Sequence, residues 1–109
     1  MPSIAGLISS FKKEEVEQIF KRPKERIKTE WFDILLALKK NDFGRILVIT
    51  SRKIGNSPKR NKIRRRLKSI FYEDKLYELP YDCVVIAKKE GIVLPFDQLK
   101  NMFISILKK

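Results

Sequence analysis

Between residues 56 and 71 the chain reads NSPKRNKIRRRLKSIF, with seven cations and no acid. Arginine carries a planar fork of donors that matches phosphate oxygens, and lysine supplies a mobile point charge. The amide of Asn61 can cap, brace an arginine or read a base edge. A solvated charged helix normally interleaves Glu with Lys to gain i,i+4 pairs, whereas like charges at that spacing are destabilising. Here no acid occurs anywhere between Phe43 and Tyr72. The pattern points to a helix that binds a polyanion. The plainer reading is a solvated basic face.

Other chemistries find little support. The chain has no histidine, which removes the commonest general base. Its carboxylates do not cluster as a two-metal nuclease would need, and Asp33 and Asp42 have no recognisable spacing. Cys83 is the single cysteine and sits in an apolar run, where it reads as core rather than nucleophile. The expectation is a protein that binds and does no chemistry of its own.

Composition agrees. Lys plus Arg number 25 against 13 for Asp plus Glu, a formal net charge of +12. Such a self-repelling surface suits a polyanionic partner, nucleic acid first and an anionic membrane surface second. The 109 residues are the size of one domain, with residues 1–9 read as an arm. A lone cysteine allows no internal disulfide and fits a reducing compartment. No window reaches the ~18–20 apolar residues of a membrane span. The start, MPSIAGLISSF, lacks a basic leader and a long apolar stretch, so a cytoplasmic location without membrane contact is expected.

The elements that must position the basic helix follow from local pattern. Ser10 could cap a first helix over residues 12–21, with Glu14 and Glu15 near its positive end and Pro23 stopping it. IKTEWFDILLALKK reads as one strand, KNDFG as a turn and RILVIT as a second strand, which together suggest an antiparallel hairpin. Ser57 before Pro58 marks the start of the basic helix, which runs to about Tyr72. DCVVIAK reads as a central strand, KEG as a turn, and Pro95 opens a last helix to Leu107. The order implies a small sheet with helices packed on it, of α+β or α/β sandwich class.

At about 100° per residue, Ile63, Leu67, Ile70 and Phe71 form one narrow apolar stripe on the basic helix. Asn61, Arg65 and Lys68 point to the opposite side, Lys62 and Arg64 flank them, and Arg60 lies near the edge of the stripe. A membrane-binding helix would expose its bulky apolar residues, whereas this stripe reads as core. A general RNA-binding module of another kind would need only the basic surface.

The stretch SRKIGNSPKRNKIRRRLKSIF closely resembles the signature of the bacterial ribonuclease P protein component. That family carries Ser-Lys-Lys-(Ile/Val)-Gly-Asn-Ala running into Arg-Asn-x-x-Lys-Arg-x-x-Arg. The matching positions are Ser51, Lys53, Ile54, Gly55, Asn56, Arg60, Asn61, Arg64, Arg65 and Lys68; Arg52, Arg64 and Lys68 exchange one cation for the other. FKKEEVEQIFKR and DCVVIAKK resemble the family's first helix and last strand.

The resemblance implies a four-stranded sheet with three helices and a left-handed strand-helix-strand crossover, the arrangement of ribosomal protein S5 domain 2. It implies two partners, the catalytic RNA of ribonuclease P and precursor tRNA, and one protein monomer per RNA. It implies that the RNA, with bound Mg2+, removes the 5′ leader while the protein assists. RNA contact would fall to Arg52, Lys53, Asn56, Arg60, Asn61, Lys62, Arg64, Arg65 and Lys68. The leader would lie in a cleft formed by Lys12, Lys13, Val16, Phe20 and Ile34. The chain departs from the family at that cleft. Val16 replaces the first of two phenylalanines, Ile34 stands where tyrosine is common, and Pro23 stands where glycine is expected. Trp31 and Phe32 are the aromatic residues that could compensate, or else pack the core.

Overall fold

The computed structural model describes residues 11–108. The expected arm over 1–9 and the Ser10 cap lie outside them. Helix α1 spans Lys13–Lys21. The Lys12 backbone N–H donates to the Glu15 carboxylate at 3.0 Å, which satisfies one of the donors left over at a helix start. The helix stops at Lys21, just before Pro23, with the Arg22 N–H closing onto the Gln18 carbonyl at 2.9 Å.

The single strand expected over IKTEWFDILLALKK is two strands, β1 (Glu25–Lys28) and β2 (Phe32–Leu38). Thr29 causes the break. Its hydroxyl oxygen accepts the N–H of Phe32 at 3.0 Å and of Trp31 at 3.3 Å, and the chain reverses there. β3 covers Ile46–Ile49 and β4 covers Tyr81–Ala87. The sheet order is β1-β2-β4-β3. β2 pairs antiparallel with β1 and β4, so the expected β2–β3 hairpin does not form; β3 pairs parallel with β4 instead. Gly44 makes the longer route possible. Its N–H donates to the Tyr77 carbonyl at 2.7 Å, and a Cβ there would collide with the Tyr81 carbonyl oxygen. The chain thus slips past the start of β4 and enters the sheet on its far side.

Helix α2, Ser57–Glu73, joins β3 to its parallel neighbour β4. Its cap is Asn56 rather than Ser57: the Asn56 side-chain oxygen accepts the Lys59 N–H at 3.1 Å, and Pro58 sits in the first turn. Short 3-10 turns precede and follow α2 at Arg52–Ile54 and Leu76–Glu78. The expected KEG turn is a one-turn helix, α3 (Lys89–Ile92). Helix α4 spans Phe96–Leu107, close to expectation.

The main core lies between one sheet face and helices α2 and α4. Phe32, Ile34 and Leu36 of β2 meet Ile63, Leu67, Ile70 and Phe71 of α2 and Leu99 and Phe103 of α4. Phe32 and Phe103 pack edge to face at 6.0 Å. The other sheet face carries a smaller cluster of Ile19 from α1 with Leu35 and Val84. β4 is central as expected, with Val84 and Val85 buried on opposite faces. The result is an α+β sandwich: a mixed four-stranded sheet with α1 on one face and α2 and α4 on the other. Among the described residues no helix is long and apolar enough to cross a membrane.

Candidate nucleic-acid interface

The apolar stripe of α2 faces the sheet and so turns its cations outward. Pro58, Asn61, Arg64, Arg65 and Lys68 line one shallow groove on the outer flank. Asn61 and Arg65 are exposed; Arg64 and Lys68 are half-buried. Arg64 is braced at both ends of its fork, one nitrogen donating to the Asn61 side-chain oxygen at 2.8 Å and the other to the Thr50 hydroxyl after β3. That brace ties the helix face to the sheet edge and limits the side-chain entropy that binding would cost. Arg60 is half-buried and donates to the Ser57 hydroxyl at 2.9 Å, so it serves the helix start. Arg52, Lys53 and Asn56 are exposed on the approach to the helix. Lys62 lies on the opposite flank, with Lys59 and Arg66.

The second candidate region is the sheet face under α1. Lys12 and Lys13 are exposed at the helix start, Val16 is half-buried and Phe20 is 38% exposed. Ile34 does not belong there. It is 0% exposed and lies in the main core, because side chains alternate along β2 and Leu35 and Ala37 take the α1 side. Phe32 is buried and Trp31 packs against the same main core, so neither replaces the missing aromatics. Leu47 and Ile49 of β3 and Ile86 of β4 also face this side, all partly exposed. Lys88 closes one end, pairing with Asp33 at 3.0 Å and donating to the Thr29 carbonyl at 2.6 Å. Knowledge of the strand register would have found these residues. The run Ile34-Leu35-Leu36 hides it, because all three are apolar.

What holds α1 over the sheet also escaped the sequence reading. Arg45, only 5% exposed, pairs with Asp82 at 2.8 Å and with Glu15 at 2.7 Å. Its guanidinium lies 4.3 Å from the centre of the Phe11 ring. Asp82 also accepts the Arg45 backbone N–H at 2.9 Å. The hydrogen bond from Arg45, followed by that from the Lys12 backbone, pulls the Glu15 carboxyl down to about 2. The same bond to Glu15, against the cost of burial, raises the Arg45 pKa. Burial, with Asp82 beside it, pushes the Cys83 thiol well above its usual range, which suits a core residue and not a nucleophile.

Comparison with known proteins agrees with this geometry. The family model described as Ribonuclease P matches residues 11–109. A ribonuclease P protein component from Geobacter sp. (strain M21) is 32% identical over 95 residues, covering 80% of this chain and 82% of that one. A Staphylococcus aureus RNase P protein, a mutant with defective mRNA degradation activity, superposes with a TM-score of 0.84 at 25% identity, covering 96% of this chain and 89% of that one. The RNase P protein from Thermotoga maritima gives 0.80 at 25% identity, covering 92% and 94%. The chain belongs to the bacterial ribonuclease P protein component family, the protein part of a ribonucleoprotein in tRNA processing.

Proposed function

We propose that the chain binds the catalytic RNA of ribonuclease P through the outer flank of α2, and the 5′ leader of precursor tRNA through the sheet face beside α1. The RNA then cleaves the leader. Family membership implies the RNA partner and a place in an endoribonuclease holoenzyme. The observation that carries the finer reading is the acid-free flank of Asn61, Arg64, Arg65 and Lys68, with Arg64 held by Asn61 and Thr50. Arg52, Lys53 and Asn56 extend that surface toward the end of β3. On the other side, exposed Phe20 offers a ring for a base, and Leu47, Ile49 and Ile86 offer an apolar floor.

Glu15 and Asp82 are engaged by Arg45 and Asp33 by Lys88, and no three metal-binding side chains converge among the described residues. We place the metal with the RNA, where it would stabilise charge in the cleavage step. The stoichiometry we propose is one monomer per RNA, in the cytoplasm.

Salt-dependent binding to the cognate catalytic RNA tests the α2 assignment. Each lost phosphate contact should flatten the slope of log affinity against log salt by ~0.7–0.9. Arg65→Ala is expected to show that loss. An unchanged slope would mean that Arg65 is only a solvated charge.

A further inference from the structure

The RNA face described above uses one flank of α2, yet the other flank is cationic too. Lys59, Lys62 and Arg66 line a groove there, with Ile63 at its base and Ile92 and Val93, at the end of α3, along its other wall. Among the described residues no acid lines the groove. Val93 is 75% exposed, and Arg66 sits 5.7 Å from the centre of the Phe96 ring. The backbone of Gly55 lies close by: a Cβ there would stand 3.4 Å from the Lys59 Cβ and 3.6 Å from the Ile92 side chain. The loop before α2 therefore borders one end of the groove.

An α-helix with its side chains is only ~10–12 Å across. The two cationic flanks therefore sit about one Debye length apart at moderate salt. RNA on the Asn61 and Arg65 side alone would leave the second cluster uncompensated. A row of cations facing an apolar strip suits single-stranded polynucleotide, phosphates along the first and base faces against the second. An acidic protein segment with apolar side chains is the alternative occupant, which the test below separates from RNA.

We propose that Lys59, Lys62, Arg66 and the Ile92–Val93 strip form a second contact for a single-stranded RNA segment, so that α2 lies between two separate segments of its partner RNA. This rests on the reading that α2 binds the catalytic RNA.

Two measurements on the full chain with the cognate catalytic RNA test it. First, the double variant Lys59→Gln/Lys62→Gln should lower the salt slope by ~1.4–1.8, the sum of two phosphate contacts, and add to the effect of Arg65→Ala. Both lysines are exposed, so the thermal melt should not move. Second, an iron-chelate tether can be attached to Val93→Cys, and separately to Tyr72→Cys on the first flank. The native Cys83 is buried and will not compete. Strand scission from the two tethers should fall in different RNA segments.

An unchanged slope in the lysine double variant overturns the proposal and leaves an acidic protein as the occupant to test. So does a Val93 tether that cuts nothing above a control without the introduced cysteine, or cuts the same nucleotides as the Tyr72 tether. If Arg65→Ala and the Tyr72 tether are silent as well, the RNA reading of α2 itself has failed.

Discussion

Replacing Arg45 with methionine removes the group that holds α1 to the sheet. The side chains of Arg45, Asp82 and Glu15 are 5%, 2% and 18% exposed. Methionine fills similar volume but leaves the Asp82 carboxylate buried without its counter-charge. Breaking a buried pair on one side costs ~3–5 kcal/mol, a large share of the ~5–15 kcal/mol that holds a domain folded. Glu15 lies nearer water and contributes less to that loss. The cost should shrink in an Asp82→Asn background, because no buried charge is then stranded. Asparagine still offers an oxygen to the Arg45 backbone N–H, which Asp82 accepts at 2.9 Å. In that background Arg45→Met should cost only ~1–2 kcal/mol, about the worth of the remaining hydrogen bonds. Urea unfolding of the four proteins at neutral pH reads both numbers, provided the m-value stays constant. Equal costs in the two backgrounds, or a cost below ~1 kcal/mol in the wild-type chain, would refute the reasoning.

Other perturbations follow from the same contacts. The Glu15 carboxyl is held at about 2 in the folded chain against an ordinary value of 4.5, so its contribution is complete above that ordinary value and lost as pH falls toward 2. The stability gap between wild type and Glu15→Gln should therefore close over that interval, and parallel pH curves would contradict it. Gly91→Ala should cost ~1–3 kcal/mol, because its Cβ would strike the Trp31 carbonyl oxygen. Gly55→Ala meets only ordinary contacts and should stay within about 0.5 kcal/mol, and urea unfolding of the two glycine variants checks both values. Phe20→Ala should weaken holoenzyme binding of leader-bearing precursor tRNA by ~1–3 kcal/mol while sparing mature tRNA. Equal loss for both substrates would assign Phe20 a structural role.

Local periodicity carried much of the fold. The stripe of Ile63, Leu67, Ile70 and Phe71 is buried as the helical spacing requires, and that burial leaves Asn61 and Arg65 exposed. The start of α2 moved by one residue because Asn56 and Ser57 are both good caps and the chain used the first. Strand pairing was not legible. Nothing within β3 says whether it joins β2 through a turn or β4 through a crossover helix, and the decision rests on Gly44 passing under Tyr81. The break at Thr29 depends on one hydroxyl that reads equally well as a strand residue. Ile34 came to the cleft through its place in the resemblance, and the apolar run around it masks the alternation that would have put it in the core. The Arg45 network joins residues 30 and 37 positions away, beyond the reach of any local spacing.

Cleavage of precursor tRNA at low magnesium by the cognate catalytic RNA, with and without this chain, addresses the function most directly. Addition of the chain should accelerate release of the 5′ leader, and Arg65→Ala should require more protein for the same rate. Cleavage that proceeds equally with and without the chain would contradict its role as the protein subunit that assists the RNA.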